Sequence, residues 1–291
     1  MQATQDRKAW SFYQRPAQPP EIAITTRDLS ILYELYVHRF MNTRQLRSLF
    51  GEAVDRRIKV LFRAGLIDRP RGTRFWRMRE GGGSQPGICA LTNRGAQALV
   101  AFEIIERNTR DFDELNRELT GLSSKVPHDL AMGDVRVAFQ RVCGLGLNSP
   151  LQTAAVRSLT VPGYDEALTP DWTCFAYDDL FFHELHTGSE TQTRIASPEQ
   201  SNLADKYERY QAYAHSKLCL TQFGVAGFRV LTIIMGGERM LENVCATALS
   251  VTNGNGNNRF LAARHDELLE GDPFEIEWRN AAGEPVRLCR A

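Results

Sequence analysis

Apolar side chains recur three or four positions apart near the start of the chain, and this spacing predicts helices. A first helix is predicted over residues 25–40, where a threonine cap precedes five apolar positions at helical spacing: Leu29, Leu32, Tyr33, Tyr36 and Phe40. Two shorter helices are predicted over residues 43–50 and 52–65, the former capped by Thr43 and each ended by a glycine. Three helices in this order are typical of a helix-turn-helix.

The pattern changes to strands after the third helix. Residues 66–78 have strand character on both sides of an Arg/Pro/Gly turn, and residues 88–100 contain a strand that enters a helix at Thr92. Three helices followed by a hairpin predict a winged helix. The phrase LFRAGLIDR…ALTNRGAQAL is similar to the recognition helix and wing of many bacterial winged-helix regulators.

The net charge of zero hides two oppositely charged halves. Residues 1–110 carry 19 Lys and Arg against 10 Asp and Glu, a charge of +9, whereas residues 111–291 carry 16 against 25, a charge of −9. This segregation predicts two domains, and a basic domain suits a phosphate-bearing partner, because neutralised phosphates release their counterions. The alternative, that the arginines only solvate the helices, stays open.

Contact with double-stranded DNA would give these cations three roles. In a helix-turn-helix the recognition helix lies in the major groove. The predicted exposed cations of the third helix are Arg56, Arg57 and Lys59, while Val54, Ile58, Leu61 and Phe62 face the core. The predicted wing cations are Arg69, Arg71, Arg74 and Arg77. The residues expected to hold phosphate at the start of the second helix are Thr43, Arg44 and Arg47.

The acidic half predicts a different architecture. Its elements occur in the order α-β-β-β-α-β, at residues 127–142, 153–161, 171–177, 180–185, 199–217 and 228–236. Residues 250–291 predict one or two edge strands with a flexible turn. The domains predicted are therefore a flexible tail (1–20), a winged helix (21–105), a helical connector (106–126) and an α/β domain (127–291).

Two resemblances follow from these motifs. The α-β-β-β-α-β order, with Pro170-Asp171 at one strand start and Glu184 in the next strand, resembles the PD-(D/E)xK fold of restriction endonucleases. Together with the winged helix and the helices PHDLAM…VRVAF and KYERYQAY, residues 21–240 resemble the replication-relaxation family of plasmids and other mobile elements. That resemblance implies a two-domain α+β or α/β protein that acts on DNA in plasmid replication, mobilisation or their control.

The nuclease resemblance implies a metal site. Asp171 and Glu184 would hold Mg²⁺ or Mn²⁺ from adjacent strands joined by a turn at residues 178–179. The lysine expected two positions after the second carboxylate is replaced by His186, and Lys206 on the following helix is the candidate substitute. An intact nuclease site and a polar strand end that serves only as a scaffold both stay open.

Several classes of protein are not expected. No apolar run reaches the roughly 18 residues of a membrane span, and the N-terminal residues lack the pattern of a secretory signal, so a cytoplasmic protein without membrane contact is expected. The six cysteines include no C-x-x-C pair and are expected to be reduced core residues.

The leading function is a DNA-binding protein of a plasmid or mobile element, active in replication, mobilisation or transcription control, whose degenerate nuclease-like domain mediates assembly. A metal-dependent, site-directed endonuclease is the alternative, and a protein–protein adaptor is the third candidate. The expected partners are double-stranded DNA and other replication or mobilisation proteins. Whether the chain forms a homodimer is left open.

Overall fold

The structure, a computed structural model, describes residues 15–70, 86–106, 126–144, 150–154, 158–188, 203–253 and 258–288. Within these stretches the chain is a mixed α+β protein with nine helices and two sheets. It divides into two compact units, Met1–Gly133 and Asp134–Ala291. The wing cations Arg71, Arg74 and Arg77, the hairpin tip, most of the predicted connector and Cys289 lie outside the described residues.

The first unit combines four helices with a small antiparallel sheet. Its elements in chain order are α1 (Thr26–His38), β1 (Phe40–Asn42), α2 (Thr43–Phe50), α3 (Val54–Arg63), β2 (Ile67–Asp68), β3 (Ile88–Leu91) and α4 (Asn93–Ala101). The strand order is β1-β3-β2, so the last strand lies between the other two. Helix α5 (Val126–Cys143) begins in this unit and ends in the next.

Capping residues explain where the first helices begin. Thr25 caps α1 in a capping box with Asp28, and Asn42 caps α2 in a second box with Gln45. The predicted cap of α2, Thr43, is therefore wrong by one residue. Because the Asn42 side chain accepts the Gln45 N–H, the helix starts at the residue after it.

The first helix is shorter than predicted. It ends at His38, because Arg39 takes a positive φ of 59°, and Phe40 belongs to β1, where it pairs with Ala90 of β3. The prediction of a helix through Phe40 is therefore wrong, because Phe40 and Met41 belong to a strand and are both buried. The buried face of α1 is formed by Ile31, Leu32 and Leu35 rather than by the two tyrosines.

The second unit is built on one seven-stranded sheet. Its strands are β4 (Leu151–Thr153), β5 (Trp172–Ala176), β6 (Asp179–His186), β7 (Arg229–Ile234), β8 (Phe260–Arg264), β9 (Trp278–Arg279) and β10 (Pro285–Val286). They lie side by side in the order β10-β9-β8-β7-β6-β5-β4. Strands β6, β7 and β8 are parallel and the other pairs are antiparallel. The remaining helices are α6 (Leu203–His215), α7 (Leu218–Phe223), α8 (Glu238–Val251) and α9 (His265–Glu270).

Strand β6 is buried on both faces, so that its polar residues His183, Glu184 and His186 are enclosed as well. On one face Phe182 contacts the rings of Tyr210 and Tyr213 from α6. On the other face Phe181 and His183 contact Phe139 of α5. Side chains alternate along a strand, so Glu184 shares the α6 face with Phe182.

Several predictions for this unit are confirmed and two are wrong. The helix at 127–142, the strands at 171–177, 180–185 and 228–236, and the helix at 199–217 match α5, β5, β6, β7 and α6 within a few residues. The strand predicted at 153–161 is wrong, because β4 ends at Thr153 and Leu159 forms only an isolated bridge with Leu168.

The C-terminal prediction is right for β10, which lies at the edge of the sheet, and wrong for β8. Strand β8 pairs with both β7 and β9, so it is an interior strand and not an edge strand. Helix α8, which precedes it, was not predicted, although Leu241, Val244, Cys245 and Ala248 are buried at helical spacing. No disulfide joins the described cysteines, all of which are buried thiols as predicted. No helix in the described part of the chain is both long and apolar enough to span a membrane.

Candidate functional site

Helix α3 has a buried apolar face and an exposed basic face. Its four predicted core positions are buried: Val54, Ile58, Leu61 and Phe62. The exposed face carries Arg56, Lys59 and Arg63. Residues three, four and seven positions apart lie on one side of a helix, so these three cations form a single stripe. Within the described residues none of the three makes a hydrogen bond or salt bridge to another side chain.

Arg63 was missed by the sequence analysis. It lies at the last position of α3 and is exposed, four residues after Lys59. Its spacing from Arg56 and Lys59 was visible in the sequence. A helical projection of the whole segment would therefore have added it to the basic face.

Arg57 is not the exposed cation that the sequence analysis predicted. Its Nε donates to Asp28 Oδ1 at 2.5 Å, and its terminal nitrogen donates to Asp28 Oδ2 at 2.6 Å and to the Ala23 carbonyl at 2.8 Å. Position 57 lies on the flank of α3 that faces the start of α1, so the guanidinium is directed at a neighbouring helix. The sequence could not indicate this contact, because Asp28 lies 29 residues before Arg57.

Asp28 is fully buried and strongly hydrogen-bonded. Besides the two bonds from Arg57, its Oδ2 accepts the Thr25 N–H and the Thr25 hydroxyl, both at 2.7 Å. Burial alone would raise the pKa of this carboxyl. The hydrogen bonds from Arg57 and Thr25 outweigh burial and lower its pKa below the ordinary value.

On the opposite flank of α3, Asp55 holds Arg47 of α2. Arg47 Nε and its terminal nitrogen donate to the two Asp55 oxygens at 3.0 and 2.5 Å, and Glu52 adds a contact of 3.6 Å. The hydrogen bonds from Arg47 lower the pKa of Asp55. Arg47, which was predicted to hold phosphate, thus forms a bidentate ion pair with Asp55 at the surface.

The other two residues predicted to hold phosphate at the start of α2, Thr43 and Arg44, differ in exposure. Arg44 is exposed, as a phosphate ligand must be. The Thr43 N–H donates to the Gly87 carbonyl at 2.8 Å, so that backbone group is already engaged. Thr43 is half-buried.

Arg69 is not an exposed wing cation either. It is buried, and its guanidinium lies 5.8 Å from the centre of the Phe62 ring. Arg15 lies over the same ring at 5.1 Å and donates to the Ile67 carbonyl and to Asp68, both at 2.8 Å. Both guanidiniums pack against an aromatic ring of the core, which offers them a cation–π contact.

In the second unit, Asp171 lies directly before β5, next to the strand that carries Glu184. Strand β5 pairs with β6 so that Trp172 is opposite His183, and the Asp171 N–H donates to the His183 carbonyl at 3.0 Å. Asp171 lies close enough to Glu184 for its charge to raise the pKa of that carboxyl. That the two carboxylates share a face and could hold one metal ion stays a prediction.

The turn that sets this register is not the predicted one. The hairpin turns at Tyr177 and Asp178, which have φ of 49° and 67°, and Ala176 pairs with Asp179. Two consecutive positive φ values are typical of a type I′ turn. A turn at residues 178–179 would instead have placed Asp171 opposite His186.

Glu184 is buried beneath α6, which engages both of its oxygens. Lys206 Nζ donates to Oε2 at 2.7 Å, and the Tyr210 hydroxyl donates to Oε1 at 2.6 Å. The pKa of Glu184 is raised to about 7, because burial and the nearby charge of Asp171 together outweigh the lowering effect of Lys206 and Tyr210. Lys206 therefore does approach the carboxylate, as predicted.

The remaining polar groups of this cluster have partners of their own. Asp171 Oδ2 accepts the Leu185 N–H at 2.7 Å, and the Tyr207 hydroxyl lies 2.6 Å from Thr232 Oγ1. His186 follows Glu184 on the same face and is buried beside Ile234 of β7. Together these residues form a polar cluster inside the unit, covered by α6.

This cluster does not fit a divalent cation in its present arrangement. No group of three His, Cys, Asp or Glu side chains in the described residues could hold a metal ion. Mg²⁺ needs few carboxylates, but it needs them open to water and phosphate. Glu184 is 2% exposed, and neither of its oxygens is open to solvent, because one accepts a hydrogen bond from Lys206 and the other from Tyr210. A cation would have to displace one of these hydrogen bonds.

Comparison with known proteins identifies the family. The model of the replication-relaxation family matches residues 32–227, which is more than half of the chain and covers parts of both units. No curated protein and no solved structure matches the chain. This sequence match confirms the resemblance found in the motifs. The chain belongs to the replication-relaxation family.

Proposed function

We propose that the first unit is a winged helix that binds duplex DNA and that the second unit is a nuclease-like domain that does not cleave it. Membership of the replication-relaxation family associates the chain with the replication of plasmids and other mobile elements. Within that setting the first unit locates a DNA site. The second unit serves assembly with other replication or mobilisation proteins.

The order of elements supports the winged-helix assignment. Helices α1, α2 and α3 are followed by β2 and β3, and β1 lies between α1 and α2. The sheet order β1-β3-β2, in which β2 and β3 are antiparallel neighbours, agrees with a winged helix. In this architecture α3 is the recognition helix.

The observation that carries the proposal is the basic face of α3. Arg56, Lys59 and Arg63 point away from the core of their unit. A stripe of unpaired cations on a recognition helix is what the phosphates and base edges of a major groove require. Arg44 on α2 extends the positive surface.

The geometry of Glu184 supports a non-cleaving second unit. A nuclease carboxylate must be ionised and open to metal and water. Glu184 is buried, its pKa is raised to about 7 by that burial, and both of its oxygens accept hydrogen bonds from Lys206 and Tyr210. A buried polar network of this kind stabilises the contact between α6 and the sheet.

One observation favours a metal-dependent endonuclease as the second candidate. Asp171, Glu184 and Lys206 are brought together from a strand start, a neighbouring strand and the next helix. These are the residue types of a PD-(D/E)xK site, with the lysine relocated. The carboxylates would supply metal ligands and Lys206 a positive charge near the reacting phosphate.

Salt dependence of binding tests the DNA-binding proposal. The full chain is titrated against a labelled 30-base-pair duplex by fluorescence anisotropy between 50 and 200 mM salt. Four to six phosphate contacts predict a slope of log affinity against log salt of roughly −4 to −5. Absence of binding at the lowest salt, on random duplexes and on the gene's own upstream region, would favour the protein–protein adaptor.

Incubation with supercoiled plasmid separates the two functions proposed for the second unit. The full chain is incubated with Mg²⁺ or Mn²⁺, and the Asp171→Ala and Glu184→Ala variants serve as controls. We expect no metal-dependent nicking above that of the two variants. Nicking by the wild type that both substitutions abolish would establish the endonuclease.

A further inference from the structure

The first turn of helix α3 contains three consecutive charged residues, Asp55, Arg56 and Arg57. Consecutive residues of an α-helix are turned by roughly 100°, so their side chains leave the helix in three directions. With Val54 and Ile58 in the core, Asp55 and Arg57 lie on opposite flanks and Arg56 points outward between them.

Both flanks are anchored to other helices. Asp55 accepts two hydrogen bonds from Arg47 of α2, and Arg57 donates two to Asp28 at the start of α1. Paired, fork-like contacts of arginine with carboxylate fix orientation as well as distance. The first turn of α3 is therefore held from both sides, and the direction of Arg56 is held with it.

The same contacts leave Arg56 as the available arginine of this turn. Arg57 uses Nε and a terminal nitrogen on Asp28 and on the Ala23 carbonyl, and Arg47 uses the equivalent atoms on Asp55. A guanidinium engaged in this way cannot also present its fork to a base. Arg56 is exposed and has no such partner in the described residues.

We infer that Arg56 determines the DNA sequence preference of this protein by selecting a guanine in the major groove. Asp55 and Arg57 are positioning residues that hold the first turn of α3. The inference rests on the proposed function. It follows from two general rules: early residues of a recognition helix contact base edges, and an arginine fork fits the O6 and N7 atoms of guanine.

Lys59 and Arg63 have a different task. They lie one and two turns further along the exposed face. Loss of a phosphate contact lowers the affinity for all DNA sequences alike. Loss of a base contact changes the preferred base at one position of the site. The structure therefore separates one base-selecting cation from two that hold the backbone.

Selection from a random duplex library tests this assignment with the full chain. The wild type, Arg56→Gln and the control Arg63→Gln are each used to enrich binding sequences from duplexes with 20 random base pairs. We expect the wild type to enrich a motif containing an invariant guanine. Glutamine matches the N6 and N7 atoms of adenine, so Arg56→Gln should change that one position from guanine to adenine.

Competition with the enriched duplexes measures the effect. Wild type should prefer guanine over the other bases at this position by roughly 10- to 100-fold, and Arg56→Gln should lose that preference. Arg63→Gln should weaken all duplexes alike and enrich the wild-type motif. If Arg56 had only a structural role, its substitution would not change which base is preferred.

Arg57→Gln gives a second control at the neighbouring position. It should lower affinity for every duplex and leave the preferred base unchanged, and if it unfolds, Arg63→Gln still serves as the control. The inference is overturned if Arg56→Gln enriches the same guanine as the wild type, or if the wild type binds duplexes without enriching any motif. In both cases DNA binding stands, whereas a wild type that binds no duplex contradicts the proposed function itself.

Discussion

Asp28 in the first unit and Glu184 in the second are both buried carboxylates paired with a cation, yet their pKa values shift in opposite directions. Asp28 accepts four hydrogen bonds, two from Arg57 and two from Thr25, and its pKa is lowered. Glu184 accepts one from Lys206 and one from Tyr210, faces a second carboxylate, and its pKa is raised. Burial is common to both, so the neighbours decide the direction.

The difference separates two uses of charge in this chain. The Asp28–Arg57 pair anchors a surface helix whose neighbouring cations remain exposed. The Glu184–Lys206 pair lies inside a unit, where its groups satisfy each other. Stability should therefore depend on pH in opposite ways: Asp28 contributes stability that is lost as pH falls below its ordinary pKa of 3.8, whereas the contribution of Glu184 declines as pH rises towards 7.

Breaking the Asp28 pair should have the largest effect. Arg57→Ala leaves a buried, ionised carboxylate with only its Thr25 bonds, which should cost about 3 kcal/mol of unfolding free energy. Hydrogen exchange followed by mass spectrometry should show faster exchange in α1 and α3. Arg56→Ala, its matched neighbour, should change stability by less than about 0.5 kcal/mol. Equal losses in the two variants would contradict the assignment of the pair.

The pH dependence of the second unit should be next in size. Between the ordinary pKa of 4.5 and the folded value of about 7, the native state binds more protons than the unfolded state. The free energy of unfolding should therefore fall by on the order of 3 kcal/mol as pH rises through this range. Glu184→Gln should flatten this dependence in urea titrations followed by the fluorescence of Trp172 and Trp278. An unchanged slope in the variant would refute the raised pKa.

Removing one donor from Glu184 should have a smaller effect. Tyr210→Phe deletes the hydroxyl at 2.6 Å and should cost about 1–2 kcal/mol. It should also raise the pKa of Glu184 further, because a bond that favours the charged form is lost. Tyr213→Phe is the control, since that hydroxyl donates to Gln222. It should lower stability without moving the pH midpoint, and a shift of the midpoint in both variants would point to a general packing effect.

The surface pair of α3 should contribute least to stability. Arg47 is 42% exposed and Asp55 is 36% exposed, and exposed ion pairs contribute about 0.2–1 kcal/mol. Arg47→Ala should therefore reduce stability by less than about 1 kcal/mol, and the loss should shrink at high salt. Thermal unfolding at low and high salt checks this. A loss as large as that of Arg57→Ala would show that both flanks of α3 are equally important.

The periodicity of apolar residues predicted the helices and strands that have one clearly apolar face. It failed for strands whose position in the sheet depends on pairing with distant parts of the chain. Strand β6 was found from its apolar start, Leu180, Phe181 and Phe182. Helix α6 was found from Tyr207, Tyr210 and Tyr213, which recur at helical spacing. Strand β8, FLAAR, is short and rich in alanine, so its interior position came from pairing with β7 and β9 and not from local preference. Helix α8 had an apolar spacing that could have predicted it.

The sites show the same limit. The strand pattern predicted two adjacent strands that carry Asp171 and Glu184, but the pairing register of these strands depends on a turn at Tyr177 and Asp178. Tyrosine is an uncommon residue at positive φ, so no local pattern indicated that turn. Likewise, Arg57 is an ordinary surface arginine in the sequence, and only the fold brings the capping residue Asp28 to it.

The salt dependence of DNA binding by charge-matched variants tests the central claim most directly. The first variant changes three exposed cations of α3 to Gln: Arg56, Lys59 and Arg63. The control variant changes three exposed cations of the second unit to Gln: Lys217, Arg239 and Arg287. Each loses three positive charges. If α3 binds the duplex, the α3 variant should reduce the magnitude of the slope of log affinity against log salt by roughly 2–3. The control variant should keep the wild-type slope. Equal slopes in the two variants would mean that DNA is held by total charge and not by the face of α3.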